Sequence, residues 1–212
     1  FCVSLNRGAT EIDPDMIAGL RPSQLSNPSR KVRGGLGLVP RRLSGVGNLW
    51  RRKWDVEDIR GRISSCHEPY HLFVGKILKN MREEFGGALL LDVHSMPPLN
   101  GEEKDNADIV IGDRFGRSAG SRYSELAIAF FERSGFRTRL NHPYAGGYML
   151  DRHSDPRNGI HAIQLEIDRA RYLDEKLREP GPGLQRIADH VAGLAGLLAD
   201  TINGEFQLAA AE

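Results

Sequence analysis

The sequence predicts an α/β fold, in which helices flank a central mixed, largely parallel β-sheet. Three observations predict this class: short apolar runs typical of buried strands, apolar residues at helical spacing, and the alternation of the two along the chain. Residues 88–93 form the clearest buried strand, because this continuous apolar run directly follows a Gly-Gly turn signal. Three further strands are predicted at residues 108–113, 136–140 and 161–167.

Helices are predicted before, between and after these strands. Four segments carry apolar residues at helical spacing, namely residues 55–66, 69–85, 121–134 and 184–202. The remaining predictions are a short strand over residues 1–5, a short helix over residues 14–20 and a loop over residues 141–159.

The length of the chain indicates one domain. A chain of 212 residues is close to the usual size of a single domain, and we interpret residues 1–212 as one. Residues 21–53 are rich in Gly, Pro, Ser and Arg, with nine basic residues and no acidic residue. Because the middle of this segment is too rich in glycine for a helix, it predicts a long basic loop.

The composition excludes several functions. With 29 basic and 28 acidic side chains the formal charge is +1, which excludes binding driven by global charge. The mean hydropathy is −0.41, and no apolar run approaches the ~20 residues that a membrane-spanning helix needs. The two cysteines, Cys2 and Cys66, make neither a disulfide framework nor a four-cysteine zinc site. The first residues do not have the pattern of a signal peptide, and we expect a cytoplasmic location.

Candidate functional residues lie near the ends of the predicted strands, since ligands of such sheets bind beyond the carboxyl ends of the strands. His94 follows the first of these strands and Asp113 and Arg114 follow the second, so we expect them at one edge of the sheet together with Glu166. A neutral His94 can ligate zinc, and Asp92, on the same strand face, can hold the second ring N–H. The alternative is a histidine that makes ordinary hydrogen bonds at a strand end.

The strand over residues 161–167 places Gln164 and Glu166 on one face and apolar residues on the other. A carboxylate on this polar face can activate water as a general base, whereas the alternative is a salt bridge between Glu166 and Arg169. Arg7 and Arg169 can clamp a substrate carboxylate or, alternatively, form surface ion pairs.

Two further segments carry residues that suit a functional site. Residues 143–148 combine two glycines with two tyrosines, one of them Tyr144, which predicts a flexible turn that can close over a substrate as a lid or remain a plain turn. His67 and His71 have the spacing of a helical metal pair, but we expect Pro69 between them to break that geometry.

Several motifs, in order along the chain, carry a resemblance to a known family. They lie at residues 6–7, 35–41, 69–71, 91–97, 108–116, 141–148 and 164–169. In these motifs the chain resembles the N-formylglutamate amidohydrolase family from about residue 6 to residue 175. Their number and order make the resemblance specific to the family, although not to one substrate.

The resemblance implies a fold similar to that of the zinc carboxypeptidases and one zinc ion, with His94 as a ligand. It further implies that Glu166 activates water, and that Asn6 and Arg7 receive a substrate carboxylate, with Arg169 as a weaker candidate. The implied reaction is the hydrolysis of an N-acyl amino-acid amide, typically of N-formyl-L-glutamate to formate and L-glutamate at the end of histidine breakdown.

The chain departs from the family pattern in two places. The other two zinc ligands would precede Asn6 and have no counterpart, so we interpret the chain as lacking an N-terminal segment. His94 alone cannot hold a catalytic zinc ion, which needs three protein ligands. Asp168 stands where the family has Asn, which is expected to alter the substrate pocket. If zinc is bound, we expect further ligands among His71, His142 and His153.

Three alternative functions stay open. The chain can be a hydrolase of another N-acyl amino acid or of a peptide, or a metal-free relative without activity. Residues 21–53 can instead form an anion-binding or nucleic-acid-binding module, but only Trp50, with Trp54 just beyond, supplies the aromatic side chains typical of such sites. The resemblance implies a small N-acyl amino acid as the partner, and we expect neither a membrane nor a nucleic acid as the partner. No pattern in the sequence indicates an oligomeric state.

Overall fold

The computed structural model describes residues 3–18, 29–43, 46–99 and 106–209. It divides the chain into two compact units, residues 1–76 and 77–212. The interpretation of the whole chain as one domain stays a prediction beside this division.

The first unit consists of short elements around a small core. α1 (Arg30–Arg33), β1 (Arg42–Leu43), β2 (Gly47–Asn48) and α2 (Val56–Arg62) lead to α3 (Glu68–Phe85), which begins in this unit. The core cluster of the unit contains the buried side chains of Val3, Met16, Ile17, Leu38, Val39 and Ile59.

Two predictions for the start of the chain are corrected. Residues 3–5 do not form a strand, and the backbone N–H of Ser4 instead makes one 2.7 Å hydrogen bond to the carbonyl of Leu38. The described part of the helix predicted over residues 14–20 is a single 3-10 turn, Pro14–Met16. A proline at its first position and the Asp13 side chain as N-cap favour this turn.

The basic segment 21–53 contains regular structure in its described part, so the prediction of a continuous loop is corrected. Ser29 caps α1 by accepting a hydrogen bond from the backbone N–H of Val32. β1 and β2 pair in antiparallel fashion. Residues 21–28 and 44–45 of the predicted loop lie outside the described residues.

The helical residues from α2 to α3 run on without a break, and the expectation that Pro69 would separate His67 from His71 is wrong. A π-helical turn, Ile63–His67, joins α2 to α3. Pro69 is the second residue after this turn. The regular i→i−4 hydrogen-bond pattern is already interrupted there, so its missing N–H is tolerated. The two imidazole rings are buried with their centroids 4.3 Å apart.

The second unit contains a four-stranded mixed sheet. Its strands are β3 (Ala88–Met96), β4 (Ile109–Gly112), β5 (Thr138–Leu140) and β6 (Ile160–Asp168), in the spatial order β3-β6-β4-β5. The pairs β3–β6 and β4–β5 are parallel, while β4 and β6 are antiparallel. Since two of these three pairings are parallel, the predicted mixed, largely parallel sheet is confirmed.

Three helices accompany the sheet in this unit: α4 (Ser121–Arg133), α5 (Tyr148–His153) and α6 (Leu184–Ala209). One face of the sheet forms the main core with side chains of α4 and α6, among them Phe131 and Leu194, which are fully buried. α5 and a 3-10 turn, Pro156–Asn158, lie in the segment predicted as a loop. α5 forms there because Met149 and Leu150 pack against Ala162 of β6.

The direction of β4 changes the arrangement that the sequence predicts. Ile109 pairs with Ile167 and Gly112 pairs with Gln164. The carboxyl end of β4 therefore points toward the edge of the sheet that is formed by the amino ends of β3 and β6. Asp113 and Arg114 therefore lie at the edge opposite to the carboxyl ends of β3 and β6. The expectation that they share one edge with His94 and Glu166 is wrong, because it assumed that the strands are parallel.

No helix within the described ranges of the chain is long and apolar enough to cross a membrane.

Candidate active site

His94 lies within β3 and not after it, in register with Glu166 of the parallel strand β6. Its Nε2 atom is 2.8 Å from Oδ2 of Asp92, two residues earlier on the same face of the strand. Oδ2 is buried and receives no well-aligned hydrogen bond from the described residues, so this close contact is mainly electrostatic. Asp92 thus holds one side of the imidazole, as the spacing predicts.

Glu166 and Gln164 occupy the face of β6 opposite to the main core. Ile163, Leu165 and Ile167 are buried in that core, so the alternation predicted from the sequence is confirmed. Gln164 is buried, and its Nε2 donates a 2.9 Å hydrogen bond to Oε1 of the half-buried Glu166. This bond fixes the orientation of the carboxylate. We call the surface that carries Asp92, His94, Gln164 and Glu166 the polar face.

Tyr144 lies on the polar face beside Glu166. Its side chain packs against the cluster of Met96, Ala107 and Val110, and Val110 is the β4 residue that pairs with Glu166. Burial and the negative charge of Glu166 raise the pKa of the Tyr144 phenol, whereas the positive charge of Arg169 lowers it. The pKa of Tyr144 is raised overall, so Tyr144 stays protonated at neutral pH and keeps its O–H group.

Arg169 follows β6 and is exposed at the end of the sheet. Its Nε donates a 3.4 Å hydrogen bond to the hydroxyl of Ser95. The neighbouring Asp168 is buried, and its Oδ1 accepts the backbone N–H of Ala170 at 2.9 Å. The acid at position 168, where the resemblance implies Asn, thus caps the turn that follows the strand.

The segment 143–148 is hydrogen-bonded to the turn after β4, and its closing over a substrate as a lid stays a prediction. The backbone N–H of Arg114 donates a 2.9 Å hydrogen bond to the carbonyl of Ala145. Gly112 lets this segment approach, because a Cβ at that position would stand 2.7 Å from the carbonyl carbon of Ala145. Since Gly112 pairs with Gln164 in the antiparallel ladder, both side-chain directions share one face. The segment therefore lies on the polar face.

We expect Gly112→Ala to displace this segment and to lower kcat/KM. The added methyl group would meet backbone atoms of Ala145 and Gly146 at 2.7 and 2.8 Å, which cannot move like a flexible side chain. Overpacking of this kind costs about 1–3 kcal/mol of unfolding free energy, to be measured by urea denaturation beside the kinetics. In the control Gly196→Ala on α6, the methyl group meets no atom within 4 Å. A normal kcat/KM for Gly112→Ala would contradict the proposed packing.

Asn6 and Arg7 belong to the first unit, where the structure gives their local contacts. Arg7 Nε donates to the carbonyl of Leu36 at 2.9 Å, and Nη1 donates to the carbonyl of Asn6. The carbonyl of Arg7 lies 2.8 Å from Nε2 of His67. Burial lowers the pKa of the Arg7 guanidinium, and the charge of Glu11 partly offsets this effect. The role of Asn6 and Arg7 as substrate ligands stays a prediction.

The described residues do not by themselves make a zinc site. Within the described ranges, no group of three or more His, Cys, Asp or Glu side chains comes together as a possible metal site. Of the expected donors, His94 has the carboxylate partner that zinc-binding histidines usually have. Its contact uses Nε2, so a metal would have to be bound through Nδ1. Because a catalytic zinc ion needs three protein ligands, the described residues do not complete a catalytic zinc site.

Two features near the polar face involve residues of α5. His153 of α5 is buried, which lowers the pKa of its imidazole; Arg152 lowers it further and Asp92 raises it. His153 therefore lies close enough to Asp92 to interact with its charge. In the second feature, Arg114 forms two hydrogen bonds of 2.7 Å with the carboxylate of Asp151 on α5. Both features depend on α5, which lies in a segment that the sequence predicts as a loop.

A mixed sheet flanked by helices, with a carboxylate and a histidine in register on its polar face, is typical of an α/β enzyme that uses acid–base chemistry. The family follows from comparison with known proteins. The family model for N-formylglutamate amidohydrolase matches residues 1–173. The chain therefore belongs to the N-formylglutamate amidohydrolase family, as the sequence motifs indicate.

Two curated relatives agree with this assignment. N-formylglutamate deformylase of Pseudomonas putida is 31% identical over 122 residues, which cover 56% of this chain and 46% of that protein. N-formylglutamate deformylase of Pseudomonas aeruginosa is 30% identical over 145 residues, which cover 66% of this chain and 54% of that protein. The chain thus spans about half the length of the curated relatives it matches.

Two solved structures share the fold. The crystal structure of N-formylglutamate amidohydrolase from Ralstonia eutropha JMP134 matches with a TM-score of 0.85 at 26% identity, over 96% of this chain and 74% of that chain. A gene product of Agrobacterium tumefaciens matches with a TM-score of 0.57 at 20% identity, over 78% of this chain and 63% of that chain. The second likeness shows the fold alone.

Proposed function

We propose that the protein hydrolyses N-formyl-L-glutamate to formate and L-glutamate. The observation that carries this proposal is the half-buried Glu166 carboxylate on the polar face, oriented by Gln164 and in register with His94. The two Pseudomonas relatives, both named N-formylglutamate deformylase, supply the substrate class.

In the proposed mechanism Glu166 is the general base and acid. Its carboxylate takes a proton from a water molecule as that water attacks the formyl carbon, and it then passes the proton to the leaving amine of glutamate. The hydrogen bond from Gln164 to Oε1 of Glu166 holds the carboxylate in one orientation for this proton transfer. Tyr144, whose hydroxyl stays protonated, is placed to donate a hydrogen bond to the substrate.

The substrate carboxylates need cationic partners, and the proposal assigns this role to Arg7 with Asn6, and secondarily to Arg169. A guanidinium group binds a carboxylate in a fork of two parallel hydrogen bonds, which fixes the orientation of the substrate as well as its position. Such positioning supplies a substantial part of the rate enhancement of an enzyme.

A cytoplasmic location also stays part of the proposal.

Zinc stays the expected cofactor if the missing ligands are supplied, with His94 as one ligand and Asp92 as the partner of its ring. When bound, zinc would polarise the formyl carbonyl and acidify its water. Elemental analysis of the purified protein tests this expectation: one zinc ion per chain, lost in His94→Ala, would require ligands besides His94, to be sought among His71, His142 and His153. Absence of zinc from an active protein would contradict the cofactor assignment and leave the role of Glu166 intact.

The substrate assignment is tested by steady-state kinetics with N-formyl-, N-acetyl- and N-succinyl-L-glutamate. We expect kcat/KM to be highest for the formyl compound, by about 10-fold or more, since a pocket shaped for one small group discriminates by that order per added carbon. A preference for a larger acyl group would identify a hydrolase of another N-acyl amino acid. No hydrolysis of any of the three compounds would contradict the proposed function.

A further inference from the structure

Arg114 occupies a backbone conformation that side-chain-bearing residues rarely adopt. Its φ angle is 57° and that of Phe115 is 58°, both in the left-handed region. Two consecutive residues stay in this region only when their surroundings hold them there. Here the Asn141 Oδ1 atom accepts the backbone N–H groups of Asp113 and Phe115, at 3.0 and 3.3 Å. The turn after β4 is thus fixed in an unusual shape.

The consequence of this shape is that Arg114 reaches the segment 145–151 with both its backbone and its side chain. The backbone N–H donates to the carbonyl of Ala145 at 2.9 Å, and Nη1 donates to the carbonyl of Gly146 at 3.3 Å. Nε and Nη2 donate to the two carboxylate oxygens of Asp151 on α5, each at 2.7 Å. One residue therefore holds both ends of this segment.

Tyr144 directly precedes the segment held in this way. Tyr144 packs against Met96 and Val110 on the polar face and interacts with the charge of Glu166. Arg114 itself lies at the opposite edge of the sheet and does not take part in the proposed chemistry. Its four hydrogen bonds instead hold the segment that directly follows the tyrosine.

We propose that Arg114 is a positioning residue for substrate binding, which acts by holding the segment 144–151 so that the Tyr144 hydroxyl meets the substrate. The catalytic part of this inference, that Arg114 aids substrate binding through Tyr144, rests on the proposed function. The structural part, that Arg114 holds the segment 144–151, does not. The planar guanidinium fork matches the Asp151 carboxylate while a third nitrogen reaches Gly146. A lysine ammonium cannot make this set of bonds, since it is a single point of charge.

The structural part is tested by amide hydrogen exchange of the purified protein. We expect Arg114→Lys and Asp151→Asn to speed exchange of the backbone amides in segment 144–151 by about 10-fold or more, with no change in α4. Arg133→Lys, an exposed position on α4, is the matched control. Exchange in segment 144–151 that is unchanged in both variants would overturn the inference, whether or not the protein hydrolyses N-formyl-L-glutamate.

The catalytic part is tested by a double-mutant cycle with Tyr144→Phe. If Arg114 acts through Tyr144, each single variant raises KM by about 10-fold, and the double variant is little worse than either one. Effects that multiply would overturn the role of Arg114 in positioning the tyrosine. If the wild-type protein shows no hydrolysis, the proposed function fails, and the exchange measurement alone decides the structural part.

Discussion

Glu166→Gln lowers kcat for N-formyl-L-glutamate by about 10²–10⁴-fold, the range that a general base contributes. The amide has nearly the volume of the carboxylate and can still accept the hydrogen bond from Gln164. It cannot accept a proton from water. We therefore expect the fold, the thermal unfolding temperature and the zinc content to match those of the wild type. Steady-state kinetics beside a thermal unfolding curve measure both parts of this expectation.

The control for this variant is Glu125→Gln, at an exposed position on α4. It makes the same chemical change away from the polar face, and we expect its kcat to equal that of the wild type. Near-normal turnover of Glu166→Gln would remove Glu166 from the mechanism. Equal losses in both variants would indicate a general effect of the lost charge and not a role at the site.

Asp113→Ala lowers the free energy of unfolding by about 3 kcal/mol or more, since it leaves several buried donors without an acceptor. The buried Asp113 carboxylate accepts hydrogen bonds from Ser124 at 2.6 Å, from Asn141 at 2.7 Å and from the backbone of Gly116 at 2.9 Å. These bonds join the end of β4 to α4 and to the end of β5. Urea denaturation at pH 7 measures the loss, with the exposed Asp200→Ala on α6 as control.

The same carboxylate makes stability depend on pH. Burial alone would raise the pKa of Asp113, but the hydrogen bonds from Ser124, Asn141, Gly116 and Phe115 more than offset burial and lower it below the ordinary 3.8. A carboxyl whose folded pKa is lowered stabilises the protein above the unfolded pKa, and this contribution is lost as the pH falls through the folded value. The difference between wild type and Asp113→Ala should therefore shrink below about pH 3.8. A difference that is constant from pH 7 to pH 3 would contradict this assignment.

Most secondary-structure elements of the second unit could be predicted from the sequence. The run at residues 88–93 and the alternation at 161–167 predict β3 and β6, although β3 extends to Met96 and so contains His94. α5 could not be predicted, since a six-residue helix between loops has too few residues to show a period. It is stabilised by packing on β6, and that contact lies outside the local sequence.

Part of the candidate site could also be predicted. Residues two apart on a strand share a face, so the spacing alone places Asp92 with His94 and Gln164 with Glu166. The strand register then brings His94 and Glu166 together. Gly112 offered a weak signal, because a glycine at the end of an apolar strand often marks a close approach of backbone. The bonds between Arg114 and Asp151 left no signal, since they join residues 37 positions apart.

The sequence by itself determined which residues of β3 and β6 share a face, because side-chain direction along a strand repeats with a local period. It also determined the family, through motifs that keep their order along the chain. Only the tertiary structure decided that β4 runs antiparallel to β6 and that Arg114 therefore holds the Tyr144 segment from the opposite edge. The physical reason is that the same residues satisfy their backbone hydrogen bonds in either strand direction. The choice depends on contacts between distant parts of the chain.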